Sequence, residues 1–379
     1  MKISYLSQSS LPSTAANSVH VMKMCQAMKR AGHEVTLYAF RGEGEWTTIF
    51  DLYDIKTSFP IISWRVYLIP GRSIVLAGLT FCHILFMSRP RPDLLYARSL
   101  FSLFFCSFLK IPFIYEAHAA PRTKIHKIIE KYLFAKISFK KLICISKALS
   151  DYYLCNKYNL CEDNTIVAHD GADLNQRLDH GPNLIQKGDR GNAQIGYAGS
   201  LYAGKGIDLI VRIAARLPEC NFHIIGGTKY QIDEFNLSHD IPSNIYFYGH
   251  VPHADVLGYL ATMNILLAPY QKKVLGAAGN MDIANWMSPL KIFEYMSVEK
   301  PIVCSKIPVL SEILVNDINC IICEADDVHE WVEAIKRLTS DSEYSAKLAN
   351  QARNDLSECY TWDKRVELVL KNTMCKYCS

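Results

Sequence analysis

The chain has 379 residues, half of them apolar and 21% charged, which suits two domains of ordinary size and excludes a disordered tail. Lys and Arg total 41 against 37 Asp and Glu, so the net charge is only +4 and a dedicated, strongly basic nucleic-acid binder is excluded. The longest apolar run, Ile74 to Met87, contains His83, and the stretch Leu94 to Tyr115 is broken by Arg98 and Lys110. Neither reaches the roughly 20 apolar residues of a spanning helix.

In chain order, a strand is predicted over Lys2–Ser7, a helix over Val19–Ala31 closed by Gly32, and a second strand over Glu34–Phe40. Further strands are expected at Asp93–Tyr96, Pro112–Glu116, Lys141–Ile145 and Thr165–Ala168, with helices between the last three. Beyond Ile166 the periodicity stops, and the Gly-, Asp- and Asn-rich run that follows reads as a linker, placed at 171–193. A second alternating series begins at Gln194. Its strands are expected near Ile195–Ala198, Asn221–Ile225, Ile245–Tyr248, Asn264–Ala268, Pro301–Cys304 and Cys320–Cys323. Its helices are expected near Ile207–Leu217, Ala254–Ala261, Pro289–Val298, Val309–Val315, Val328–Thr339 and Ser342–Glu358.

Alternating strands and helices imply α/β architecture with parallel sheets. The expected organisation is two Rossmann-like domains, 1–170 and 194–360, facing across a cleft, with a C-terminal helix at about 361–379 crossing back to the first. Ligands of such sheets sit beyond the carboxyl ends of the strands, so the βα loops are where chemistry is sought. The opening MKISYLSQSSLPS lacks the apolar core of a secretory signal. Thirteen cysteines, an odd number scattered through apolar segments, suit a reducing compartment. Of two CxxC spacings, Cys320–Cys323 reads as core thiols and Cys375–Cys378 as a tail, so no zinc site is expected.

Three loops are candidate phosphate holders. In Ser288-Pro289-Leu290-Lys291-Ile292-Phe293-Glu294, Ser288 suits an N-cap and Pro289 a first helical position. The Leu290 and Lys291 amides would then leave the positive end of a helix open to a diphosphate. Glu294, one turn on, is placed to accept from a pair of sugar hydroxyls; the plainer alternative is a solvated Lys291–Glu294 pair. In Gly199-Ser200-Leu201-Tyr202-Ala203-Gly204-Lys205-Gly206, glycines admit a close ligand and Lys205 supplies a cation, although neither GxxxxGK[ST] nor GxGxxG is present. Gly226-Gly227 follows the next strand in the same way. In the polar loop Gln8–Ser18, Asn17 or Ser18 is expected to cap the following helix.

Taken together and in order, ANSVHVMKMCQAMKRAGHEVTLYAF, LLYAR, IYEAHA, ISKAL, DGAD, GYAGSLYAGKGIDLI, FYGHVPHADV, LLAPY, SPLKIFEYMSVEKPIVCSKIPVLSEIL and YTWDKRV resemble a bacterial GT-B glycosyltransferase of family 4, in its SPLK-type branch. The resemblance spans residue 16 to about 365, and SPLKIFEYM followed by KPIV is its most specific part. It implies a retaining, metal-independent transferase that takes a UDP- or GDP-linked sugar in the C-terminal domain and an acceptor mainly in the N-terminal one. No cofactor is implied, and no Asp-x-Asp metal motif is present. The products implied are bacterial surface polysaccharides such as O-antigen or capsule.

By the same resemblance, Lys205 matches a diphosphate-binding lysine, Leu290 and Lys291 the helix-start amides, and Glu294 the glutamate that holds ribose hydroxyls. Val251 matches a backbone contact to the base, and Ser200 and Gly226 line the donor loops. His118, in EAHA, matches a histidine near the reacting sugar, expected to hydrogen-bond the donor sugar or the acceptor rather than act as a base. The chain departs from the pattern at Trp286, where the first glutamate of a pair would stand, at Ser200, near a frequent arginine, and at Ala15-Ala16-Asn17, where glycines are usual.

Between Arg122 and Lys141 there are seven Lys or Arg and one acid, Glu130, with Ile125, Ile128, Ile129 and Leu133 interleaved. A basic amphipathic segment of this kind lies on anionic membranes or forms a solvated face. The expectation is a cytoplasmic, peripheral protein acting on an undecaprenyl-diphosphate-linked or other glycan acceptor. Two rival readings are a UDP-sugar 2-epimerase of the same fold and a non-catalytic nucleotide- or glycan-binding subunit.

Overall fold

The computed structural model describes residues 1–66, 71–156, 158–174, 188, 191–275 and 282–373. The chain divides into two compact units, Met1–Asp170 with Trp362–Ser379, and Gly171–Thr361. Much of the expected linker, and the pair Cys375 and Cys378, lie outside the described residues.

Unit 1 runs β1 (Lys2–Leu11), α1 (Ala16–Arg30), β2 (Glu34–Arg41), α2 (Ile49–Leu52), β3 (Ile61–Trp64), α3 (Arg72–Cys82), β4 (Leu94–Ala97), α4 (Leu100–Cys106), β5 (Phe113–Ala117), α5 (Lys124–Phe134), β6 (Phe139–Cys144), α6 (Lys147–Cys155) and β7 (Thr165–Val167). The strands form a seven-stranded parallel sheet in the order β3-β2-β1-β4-β5-β6-β7. Strands such as LLYA of β4 and FIYEA of β5 are buried at every position, as a sheet covered on both faces requires.

Unit 2 runs β8 (Ala193–Ala198), α7 (Ile207–Ala214), β9 (Cys220–Ile225), α8 (Lys229–Ser238), β10 (Ile245–Gly249), α9 (His253–Ala261), β11 (Ile265–Ala268), α10 (Leu290–Ser297), β12 (Ile302–Ser305), β13 (Ile321–Cys323), α11 (Val328–Ser340) and α12 (Ser342–Asp355). Its six parallel strands follow the order β10-β9-β8-β11-β12-β13. Along β11, Leu266 packs into one core with α10 while Ile265 and Leu267 pack into another with α7 and α11, so helices cover both faces. The last helix, α13 (Trp362–Leu370), belongs to unit 1, where it packs against α1.

Four expectations are corrected. The polar loop Gln8–Ser18 shrinks to residues 12–15, because β1 continues to Leu11 after a register shift and buries Ser7 and Ser9, whose Oγ atoms bond each other at 3.0 Å. Small hydroxyls that satisfy one another stay inside a sheet, so polarity there mimicked a loop. Val309–Val315 is a chain of turns rather than a helix, since Asn319 accepts from Val315 N–H and donates to the Ile313 carbonyl in place of continuing helical bonds. α8 was missed because it buries no residue and so carries no apolar period; its capping box, Thr228 with Gln231, was the available signal. The short edge strand β3, half-buried throughout, was also missed.

Candidate functional site

In each sheet the chain reverses its direction of travel at one point, between β1 and β4 in unit 1 and between β8 and β11 in unit 2. Loops leaving the carboxyl ends of two such strands diverge and leave a crevice. In unit 2 those loops are Gly199–Gly206 after β8 and the segment from Pro269 after β11. Gly206 has φ +86°, and a Cβ there would lie 1.8 Å from the Pro269 carbonyl oxygen, so only glycine lets the two loops meet. Gly226, after β9, has φ +124° and would collide with the Gly199 oxygen at 2.1 Å. Its N–H donates to Gly249, which fixes the approach to Val251, a half-buried residue packed on the adjoining core.

The start of α10 closes this crevice. The helix begins one residue later than expected: Pro289 is the N-cap and supplies no side-chain cap, so Ser288 does not serve that role. The first-turn amides of Leu290 and Lys291 have no intrahelical acceptor, and the helix end is open to an anion.

The Lys291 side chain is the larger surprise, because it is buried, not paired with Glu294 in solvent. Its Nζ lies 3.8 Å from the centre of the Tyr197 ring and 4.7 Å from that of Tyr270. Lys205 Nζ lies 5.0 Å from the same Tyr270 ring. Burial pulls the Lys205 amine down to about 8, and burial followed by repulsion from Lys205 pulls Lys291 well below its ordinary value. Neither lysine has a paired carboxylate among the described residues. Tyr197 is itself held by donating to the Ser200 carbonyl at 2.9 Å.

Glu294, one turn into α10, is largely buried and has His253 Nδ1 at 3.6 Å from its Oε1. Trp286 sits in the turn just before α10, its N–H bonded to the Ile283 carbonyl. Tyr197, Tyr270 and His253 were not singled out in the sequence. Tyr270 follows β11 at the strand switch, which is the signal that marked it.

Unit 1 gathers a second group, also at strand ends. Arg98 follows β4 and His118 follows β5. His118 Nε2 is 2.5 Å from Glu116 Oε1, and its Nδ1 is 3.1 Å from Arg98 Nη2. Arg98 only donates and an ionised Glu116 only accepts, so His118 carries its proton on Nε2 and both ring nitrogens are engaged. Burial followed by repulsion from Arg98 pushes its imidazole down to about 4, leaving it neutral.

Burial alone would raise the Glu116 carboxyl. Arg365 of α13, with Nη1 at 3.0 Å from Oε2, together with His20 and His118, holds it well below the usual range instead. His20 Nδ1 bonds Asp170 at 2.8 Å, and its Nε2 lies 2.9 Å from Glu116 Oε1, off the line of a good hydrogen bond. His20, Glu116 and His118 have the residue types of a metal group, but two guanidiniums already occupy the carboxylate they would share.

The structure reassigns Asn17 and Ser18. The N-cap of α1 is Ala15, and both residues sit inside its first turn. Ser18 is buried, donating to the Ser10 carbonyl at 3.1 Å, and has no hydroxyl to offer a phosphate. The exposed Asn17 accepts through its carbonyl from Arg98 Nη1 at 3.3 Å.

On α5, Ile125 and Ile128 are 64% and 66% exposed beside the exposed Lys124 and Lys131. Phe108 and Ile137 are exposed as well, and Lys136 Nζ lies 4.3 Å from the centre of the Tyr132 ring. The inner face is fastened by Glu130, which accepts from Tyr153 at 2.8 Å and Tyr158 at 3.0 Å. Among the described residues no helix is long and apolar enough to cross a membrane.

Comparison with known proteins agrees with these two halves. The family Glycosyltransferase Family 4 matches residues 18–176, and Glycosyl transferases group 1 matches residues 185–355. An uncharacterized glycosyltransferase of Methanocaldococcus jannaschii is 23% identical over 268 residues, 69% of this chain and 68% of that protein. The crystal structure of Anabaena HepE in complex with UDP and glucose superposes with a TM-score of 0.68 at 16% identity, over 97% of this chain and 98% of that one. WaaG, a glycosyltransferase involved in lipopolysaccharide biosynthesis, superposes with a TM-score of 0.64 at 14% identity, over 98% of each chain. Two parallel-sheet units with these two family matches in succession make the chain a glycosyltransferase of GT-B type.

Proposed function

We propose that the chain is a retaining glycosyltransferase that moves a sugar from a UDP- or GDP-linked donor to a lipid-linked glycan in bacterial surface-polysaccharide synthesis. The observation that carries the donor half is the convergence of Lys205, Lys291 and the uncapped start of α10 on one crevice of unit 2. Cations and free amides there meet the charge that develops on a leaving diphosphate. Glu294 accepts from ribose hydroxyls one turn further along. HepE was crystallised with UDP and with UDP-glucose, which favours a UDP-linked donor. WaaG acts in lipopolysaccharide synthesis, which favours a glycolipid acceptor.

Because protein groups meet the diphosphate charge, transfer proceeds without a divalent metal. His118 serves as a neutral ring locked between Arg98 and Glu116, orienting sugar or acceptor rather than taking a proton. The exposed isoleucines and lysines of α5 rest on the cytoplasmic leaflet and bring unit 1 to its lipid-linked acceptor.

The test is a thermal-shift screen of UDP-, GDP- and dTDP-sugars, followed by transfer assays with the stabilising donor in EDTA. One donor is expected to raise the melting temperature and to be transferred with its anomeric configuration kept. Loss of transfer in EDTA, or inversion of configuration, would remove the corresponding part of the proposal. Interconversion of a UDP-sugar with no acceptor present would identify a 2-epimerase instead.

A further inference from the structure

Lys291 is 9% exposed, and its Nζ is shielded from solvent without any hydrogen-bond acceptor among the described residues. A buried amine in this condition is costly unless something completes it. What surrounds it is aromatic: Tyr197 and Tyr270, both fully buried, present ring faces to the nitrogen. The charged groups that face it are Lys205, which repels, and Glu294, which attracts. Tyr295, next but three along α10, is already spent on the Ala198 N–H and the Leu267 carbonyl. Toward the β8 loop the way is open only because residue 199 is glycine; a Cβ there would stand 3.0 Å from the lysine nitrogen. The amine therefore points at the loop that also carries Lys205, beside the uncapped start of its own helix.

We propose that the Lys291 side chain is the second cation of a diphosphate receptor, stored on the faces of Tyr197 and Tyr270 and completed only when a ligand's phosphates arrive, so that nucleotide binding takes up a proton from solvent. This rests on the donor-site reading above and extends it. That reading counts Lys291 only among the groups that converge on the crevice, whereas here its amine is assigned to the phosphates as a group that gains its proton on binding, and the tyrosines become positioning residues.

The chemistry balances simply. The empty site disfavours the charged form of the Lys291 amine, because ring faces compensate a buried charge less than water does. A bound diphosphate favours the ammonium, one proton leaves the buffer, and no covalent bond changes. Lys205 contributes as well, with its amine at about 8 in the empty site. At about pH 8 it supplies at most about half a proton, so uptake beyond that belongs to Lys291.

The experiment is titration calorimetry of UDP, inorganic pyrophosphate and uridine at about pH 8 in two buffers of different ionisation enthalpy. For the wild type, UDP is expected to show clear proton uptake and uridine none, while pyrophosphate, which still carries a proton of its own at this pH, should bind with less uptake than UDP. Lys291→Met should weaken UDP roughly 100-fold, cut the uptake to about half a proton or less, and raise the melting temperature of the ligand-free protein, because an apolar chain replaces an unmatched amine. Tyr270→Leu should reproduce the loss of uptake and gives a second route should Lys291→Met fold poorly.

Wild-type UDP affinity and uptake in Lys291→Met would overturn the proposal and leave the donor site standing. So would Lys205→Met abolishing the uptake by itself. A lower melting temperature for Lys291→Met, with uridine weakened as much as UDP, would reduce the residue to a structural role and equally overturn it. Failure of wild-type protein to bind UDP, GDP and pyrophosphate at all would instead overturn the donor-site reading.

Discussion

Glu116 in unit 1 and Lys291 in unit 2 are both buried ionisable residues near the carboxyl ends of parallel strands, and their surroundings could hardly differ more. Glu116 meets Arg365, Arg98, His20 and His118, and Arg365 in turn donates to the Ala168 and His169 carbonyls. Both carboxylate oxygens accept hydrogen bonds from the protein, Oε1 from His118 and Oε2 from Tyr96 and Arg365. Lys291 meets two ring faces, a second lysine and a carboxylate too distant to pair. A network that satisfies itself fixes geometry, here the tautomer and orientation of His118. A buried amine left unmet carries an unfavourable energy, which makes it a candidate for meeting a ligand rather than for holding the fold. The difference separates a closed network from an open one.

The comparison breaks most visibly at Arg365. Replacing it with Met leaves Glu116 and two carbonyls buried without their main partner. Losing one member of a buried pair costs about 3–5 kcal/mol. Denaturant titration should show that loss, with unit 1 unfolding first, and the double change Arg365→Met with Glu116→Gln should recover part of it. A single-site loss below about 1 kcal/mol would show that the network is not closed as described.

Next in size is the receptor. Lys205→Ala or Glu294→Ala should lower transfer by about 10²–10³-fold while circular dichroism and melting behaviour stay close to wild type. Lys205 is held by a ring face and Glu294 by a 3.6 Å contact to His253, so neither anchors the fold. Full activity in both variants would overturn the donor-site assignment.

Much of this was legible in the sequence, and unevenly so. Strand positions in unit 2 matched within a residue or two because LLA, CNFHII and IIC are short apolar runs bounded by loops, the plainest signal of covered parallel strands. Motif order pointed to Lys205 and Glu294, which lie in the loop after β8 and one turn into α10. The tyrosine cradle was not, because Tyr197 and Tyr270 are 73 positions apart and meet only through the β8–β11 pairing. Helical spacing put Lys291 beside Glu294 on a surface, whereas the side chain turned inward to ring faces that spacing does not reveal. Arg365 lay equally hidden: it is 249 residues from the glutamate it holds.

Titration should separate the two groups by the sign of their effect. Glu116 and Asp170 are depressed in the folded state, so their contribution is present above the ordinary carboxylate range and is lost as pH falls through the folded values. The Lys205 amine is also depressed, from 10.5 to about 8. Between those values the unfolded chain binds the extra proton, so stability rises with pH across that window, by at most about 1.4 kcal/mol per pH unit for each such group. Calorimetric scans should show acid weakening unit 1 first. In alkali the thiols of Cys220 and Cys323, pushed up by burial, act against the lysine in unit 2, so its contribution is read as the stability of wild type minus that of Lys205→Met, a difference that should rise from about pH 8 to 10. A difference that stays flat across that range would contradict the burial of the Lys205 amine.

The smallest effects on folding are expected where charge faces solvent, on α5. Lys124 and Lys131 are exposed, so reversing both to Glu should shift the melting temperature little. Each basic residue close to an anionic surface contributes about 1 kcal/mol to membrane attraction, and that contribution fades with added salt. Flotation with phosphatidylglycerol-containing vesicles should therefore lose most of the protein in Lys124→Glu with Lys131→Glu, and in wild type at high salt. Ile128→Glu should weaken flotation through the apolar half of the same face without altering the salt dependence. Thus α5 carries both regimes on one helix: Glu130 is matched by two tyrosines inside, and Lys124 and Lys131 outside are exposed. Wild-type protein that stays with the soluble fraction at low salt would show that the outer face serves solvation alone.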